Sequence, residues 1–192
     1  MENTTEKPIE WSIRKVGGSI RIKQIQRKPY KRRNVSESQT TAQTRFGKAV
    51  EFANVQMSLP ERKALYQTGI NQKKRSAYMV AVSDALVAPT VRTIDATGYT
   101  GAVGDIISIT AVDDFKVVRV HVVITDPDGC VLERGEADNS GYVFRWMYTA
   151  TVANSTLKGT TISATAFDLP RNESTRVHVL DGNQDINTSP NH

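Results

Sequence analysis

The chain has 192 residues, 39% hydrophobic and 23% charged, with a formal net charge of +5, a globular composition with room for one large domain or two small ones. No apolar run approaches the roughly 18 residues that span a bilayer; the single cysteine, Cys130, excludes an intramolecular disulfide and a cysteine-based zinc site. Residues 1–88 carry 17 Lys+Arg against 7 Asp+Glu, a net +10, and residues 89–192 carry 8 against 13, a net −5, an asymmetry expected of two modules with different partners or of two that attract one another.

Residues 9–25, "IEWSIRKVGGSIRIKQI", predict a β-hairpin. Ile9, Trp11 and Ile13 alternate, Ile20 and Ile22 do so again, and Gly17-Gly18 supplies the positive φ angles of a tight turn. An isolated hairpin is marginal in water, so this one is expected to dock on a surface with Trp11 as its anchor. The stretch "QRKPYKRRN" follows at 26–34, with five Lys/Arg in nine positions.

Ser36 and Gln39 then fit a capping box ahead of a helix over about 38–55, in which Ala42, Phe46, Ala49, Val50 and Ala53 recur at helical spacing. Ser58-Leu59-Pro60-Glu61 repeats the start signal and opens a shorter helix ending near Gly69, with Leu65 and Tyr66 as core contacts. A third helix over about 74–87 places Tyr78, Ala81, Val82 and Ala85 on one face and stops before Pro89. Cys130 is expected to be a small, partly buried residue after a turn.

From Pro89 the period changes from helical to two. Ile107, Ile109 and Ala111 alternate, as do Val118, Val120, Val122 and Ile124, then Phe144, Trp146, Tyr148 and Ala150, then Ile162, Ala164 and Ala166, and finally Val177 and Val179. With "TVRTI" and "VLERGEA" these make seven short strands punctuated by "DPDG", "DNSG" and "DLPRN", the pattern of an antiparallel β-sandwich. The polar tail from Asp181 is expected to be disordered.

The segments "AVDDFKVVRVHVVITDPDGCVLERGEA", "VFRWMYTAT" and "ISATAFDLPRNES" resemble bacterial Ig-like domains over most of residues 90–180. They share two acidic residues before the third strand, an Asp-Gly hairpin and a closing hairpin of "A-x-D…N" form. Arg171 stands where that pattern has Gly, which implies a strained or different last turn. The run Thr41-Ala42-Gln43-Thr44-Arg45-Phe46, after a Gly, basic and Pro segment, is similar to uncharacterised bacterial, phage-associated proteins. The resulting expectation is an α+β chain in two modules. Residues 1–88 form a basic hairpin plus a small three-helix unit, residues 89–180 an Ig-like antiparallel β-sandwich of about seven strands, and residues 181–192 a tail.

Between Trp11 and Ser36 nine cations and no acid occur: Arg14, Lys15, Arg21, Lys23, Arg27, Lys28, Lys31, Arg32 and Arg33, with Tyr30 interleaved. Such density suits phosphate, with Tyr30 stacking on a base; it suits an acidic protein surface or a solvated linker equally. "QKKRS" at 72–76 is a second basic group that could extend the patch. In an Ig-like sandwich the loops holding Asp113-Asp114 and Asp168 lie at one end, which makes these three a weak Ca²⁺ candidate, although Asp is also the ordinary residue of turns. His121 and His178 are expected to point away from the core, on strands two apart, too distant for a shared zinc. Trp146, Phe144 and Tyr148 read as core; an exposed patch of Tyr142, Met147 and Phe167 would instead mark an interface.

No nucleophile elbow or P-loop is present, and no cofactor or catalytic residue is expected. The expected function is that of a non-enzymatic structural or interaction protein working by assembly, with a protein partner or another copy. A nucleic-acid-binding accessory protein using residues 14–33 is the alternative, and a surface or secreted adhesin the third. The first thirty residues lack the apolar stretch of a Sec-type signal peptide, so the default expectation is the cytoplasm, with association to a particle equally compatible.

Overall fold

Gly17 and Gly18 take φ of 56° and 81°, the paired left-handed residues of a two-residue hairpin turn. They join β1 (Glu10–Val16) to β2 (Ser19–Ile25). The computed structural model describes residues 10–25, 36–142 and 144–181, the side chains of residues 10, 11 and 25 aside. Ile9 and the tail from residue 182 lie outside the described residues. Pairing of Val16 with Ser19 and Ile13 with Ile22 fixes the faces: Ile13, Ile20 and Ile22 share one with Lys15, and Arg14, Val16, Arg21 and Lys23 share the other. The chain forms two compact units, residues 1–40 and residues 41–192. The hairpin belongs to the first, and most of the helical segment shares the second with the sandwich.

The expected capping box is formed: Ser36 Oγ accepts from Gln39 N at 3.3 Å, and Gln39 Oε1 accepts from Ser36 N at 3.2 Å, opening α1 (Glu37–Ser58). The second predicted cap is not made. Ser58 Oγ donates back to Val55 O at 2.7 Å, and α2 (Pro60–Gln67) starts at Pro60 behind an uncapped Leu59, where the fixed φ of proline suits the first helical position. Helix α3 (Ala77–Leu86) begins later than the expected residue 74. Asn71 Oδ1 accepts from the N–H groups of Lys73 and Lys74 in a side-chain turn, and Ser76 Oγ then takes the cap by accepting from Met79 N. Its buried face is Ala77, Val80, Ala81 and Asp84, rotated from the predicted Tyr78, Ala81, Val82 and Ala85. Ala49 and Ala53 of α1 are buried as the spacing predicts, whereas Phe46 is exposed.

Eight strands build the sandwich: β3 (Thr90–Asp95), β4 (Ile106–Val112), β5 (Val117–Thr125), β6 (Val131–Glu136), β7 (Asp138–Asn139), β8 (Arg145–Thr149), β9 (Thr161–Asp168) and β10 (Glu173–Val179). They form two four-stranded antiparallel sheets, β3-β4-β8-β7 and β10-β9-β5-β6, an Ig-like arrangement. The core is the alternating inner face of both sheets. Ile107, Ile109, Val120, Val122, Ile124 and Ile162 are fully buried, and Trp146 and Tyr148 close the space between the sheets.

Four predicted core positions fall outside it. A register shift between Val117 and Arg119 inserts Val118 as an extra residue, so it is 40% exposed, because a bulge resets the two-residue alternation. Phe144 precedes β8 and is exposed. Val177 and Val179 face solvent on the edge strand β10, while Leu180 is buried; the inward parity therefore runs through His178 rather than its neighbours. Cys130 is exposed at the end of a turn in which its N–H donates to Asp126 Oδ1 at 2.8 Å.

Candidate functional site

A second core lies where the helices meet one end of the sandwich. Ala53, Tyr66, Ala77, Val80 and Ala81 are buried there against Phe115, from the loop after β4, and Leu169, from the turn after β9. Tyr66 is the centre. Its ring stacks on Phe115 at 4.8 Å between centroids and meets Phe52 of α1 edge-on at 6.5 Å, geometries that aromatic quadrupoles favour.

Tyr66 also carries a polar group into this core. Its hydroxyl donates to Asp84 Oδ2 at 2.7 Å, and Asp84 is fully buried. One ligand oxygen from each of Asp84, Asp113 and Asp168 lies within 4.8 Å of the other two. Asp113 Oδ2 accepts from Phe115 N at 3.0 Å and Lys116 N at 2.8 Å. Asp168 accepts from Asn172 through both oxygens, and the Asn172 amide also donates to the Asp84 carbonyl at 3.2 Å. Arg171 sits in this turn with φ of 73°, the left-handed conformation that glycine favours. That conformation brings Asn172 back onto Asp168, so the turn keeps the backbone shape that a glycine favours although Arg171 occupies the position.

Burial pushes the Asp84 carboxyl up to about 7; the Tyr66 hydrogen bond opposes this, and the charges of Asp113 and Asp168 add to it. Burial also raises Asp168, against the hydrogen bonds from Asn172. Tyr66 is raised by burial first and then by its bond to Asp84. Asp84 Oδ1 and Asp113 Oδ1 are buried without a hydrogen-bond partner. Chemically, the arrangement can hold a cation or confine a proton.

Of the three aspartates singled out in the sequence, Asp113 and Asp168 come together and Asp114 does not. Asp114 pairs with Lys74 Nζ and accepts from Ser83 Oγ at 2.6 Å. Burial raises its carboxyl, but these partners outweigh burial and hold it below the usual range. Lys74 is thereby committed to an internal ion pair rather than to extending a basic patch. Asp84 went unnoticed, though an acid on an otherwise apolar helix face, at the spacing of Ala77, Val80 and Ala81, is a signal the sequence does carry. Glu133 was missed as well: it is buried, with Oε2 accepting from Tyr148 OH, Thr151 N and Thr151 Oγ1 at 3.0, 2.8 and 2.6 Å.

The hairpin places Arg14, Arg21 and Lys23 on one face, Arg14 directly opposite Arg21, and Lys15 on the face of Ile13, Ile20 and Ile22. Those three isoleucines are each more than 60% exposed. Trp11 pairs in register with Gln24, and its role as an anchor rests on a side chain outside the described residues. Arg27, Lys28, Tyr30, Lys31, Arg32 and Arg33 also lie outside them. Divided at the structural boundary, residues 1–40 hold 10 Lys+Arg against 4 Asp+Glu, a net +6, and residues 41–192 hold 15 against 16, a net −1.

His121 faces out from β5, whereas His178 takes the inward parity of β10, so the sheet separates them, a correction that moves them further from a shared zinc. Trp146 and Tyr148 are core. Tyr142 is exposed, but Met147 and Phe167 are half-buried on different sheets and form no continuous patch with it. The guanidinium of Arg119 lies 4.1 Å from the centre of the Phe167 ring. No described helix is long and apolar enough to cross a membrane.

No protein-family model matches the chain, and no curated protein matches it. Among solved structures it is similar to one described as the tetra-tandem repeat in the extending region of a large adhesion protein. The identity is 25%, over 50% of this chain and 24% of that one, with a TM-score of 0.30. This chain therefore spans about a quarter of that structure, and so partial a likeness assigns nothing. The Ig-like architecture itself is consistent with a non-enzymatic, interaction-type protein.

Proposed function

We propose that the protein works by assembly, with the Ig-like sandwich and its helices as a rigid body and the N-terminal basic segment as the docking element for a protein surface, another copy being the first candidate. The observation that supports this reading is the hairpin: a two-stranded sheet with Ile13, Ile20 and Ile22 exposed on one face, an arrangement of marginal stability in water that gains from a covering surface. Cations on the opposite face and in the following stretch attract carboxylates and set orientation. Light scattering across a salt titration tests it. Association at low salt that weakens as salt rises is expected, and a protein that stays monomeric at low salt contradicts it.

A second reading, nucleic-acid binding, draws on a different observation. The net +6 is confined to residues 1–40 while the larger unit is nearly neutral, so a polyanion is a stronger electrostatic match for the arm than the remainder of another copy. A gel-shift series with Lys31, Arg32 and Arg33 changed to Ala separates the two. Absence of a shift with the unmodified chain at low salt ends this second reading.

A further inference from the structure

We propose that Asp84, Asp113 and Asp168 form a binding site for a hard divalent cation that ties α3 to the end of the sandwich. The three residues come from a helix, a loop after β4 and the end of β9, so an ion held among them would bridge elements far apart in sequence. Their ligand oxygens lie within 4.8 Å of one another, which matches two metal–oxygen distances of roughly 2.3–2.6 Å around calcium.

The independent observation is Asp84. It is fully buried, and its Oδ1 has no hydrogen-bond partner, an arrangement that leaves a buried polar group uncompensated unless something unseen satisfies it. Asp113 Oδ1 is in the same state. The remaining oxygens are already fixed: Asp84 Oδ2 by Tyr66, Asp113 Oδ2 by two backbone N–H groups, and Asp168 by Asn172. Among the described residues the two ion pairs seen go elsewhere, Lys74 to Asp114 and Arg119 to Glu136, and the Arg62 charge is felt at Tyr66. A cluster of three carboxylates to which no lysine or arginine of the described residues is bonded suits a cation of charge two with oxygen preference. The competing occupant is a proton shared between Asp84 Oδ1 and Asp113 Oδ1, and it makes opposite predictions.

The test uses the full chain freed of ions by chelation, then titrated with Ca²⁺, Mg²⁺ and Mn²⁺ at millimolar concentration, read by thermal melting and calorimetry. The expected result is a rise in Tm of several degrees with at least one ion and binding of one equivalent. Asp84→Asn keeps an acceptor for Tyr66 and is expected to fold while losing both responses; Asp168→Asn serves as a second variant. The proposal is overturned if none of the three ions shifts Tm or gives heat, which assigns the buried oxygens to a shared proton. It is equally overturned if both variants respond like the unmodified chain, which places the ion elsewhere.

Discussion

Replacing Asp84 by Asn removes one ionisable group from the buried junction and leaves the shape and the Tyr66 acceptor in place. An acid whose native pKa lies above its unfolded value holds its proton more tightly when folded. Its neighbours therefore favour the native state most below the unfolded value, and stability declines as pH rises through the native one. For Asp84 that window runs from 3.8 to about 7. At ~1.36 kcal/mol per pKa unit the rise corresponds to up to ~4 kcal/mol lost by mildly alkaline pH. Burial drives the loss and the charges of Asp113 and Asp168, which face the group, add to it, whereas Asp95, Asp105 and Asp114 are lowered and change stability in the opposite sense. The informative quantity is therefore the difference between variant and unmodified chain. Urea unfolding in chelator at a series of pH values should show Asn and Asp nearly equal near pH 4, with Asn increasingly favoured toward pH 8. A difference that stays flat across that range refutes the reasoning.

Tyr66→Phe keeps the ring between Phe115 and Phe52 but leaves Asp84 Oδ2 without its donor; a loss of about 1–3 kcal/mol in urea unfolding is expected. Arg171→Gly relieves a left-handed residue at φ of 73° and should gain about 1 kcal/mol, read as a rise in Tm; no gain would mean that the arginine side chain compensates its backbone. Residues 89–181 contain a complete sandwich core that is distinct from the helix cluster. Expressed alone they should fold, by circular dichroism and dispersed amide resonances, with lower stability because Phe115 and Leu169 lose their cover.

The sandwich was legible because its central strands alternate without interruption: β4, β5 after its bulge, and β9 each bury every second residue. The misreadings have local causes. At β10 an edge strand presents valines to solvent, and hydrophobicity alone suggests the wrong parity there. At Val118 the alternation is reset by a bulge that composition does not announce. In α3, rich in apolar residues all round, periodicity could not choose among adjacent faces, and the buried face turned out to hold an acid. The junction itself required tertiary information, since Asp84 and Asn172 meet across 88 residues. Chain-half charge was legible, but its meaning changed once most of the helical segment proved to share a unit with the sandwich.

In the proposed assembly the hairpin acts through its apolar face. Changing Ile13, Ile20 and Ile22 together to Thr preserves charge and strand propensity while removing the exposed hydrocarbon. Sedimentation velocity at low salt compares this variant with the unmodified chain. The expected result is association of the unmodified chain that is lost in the variant, with any oligonucleotide binding unchanged. Equal association by both, or a monomeric unmodified chain, would contradict assembly through this face.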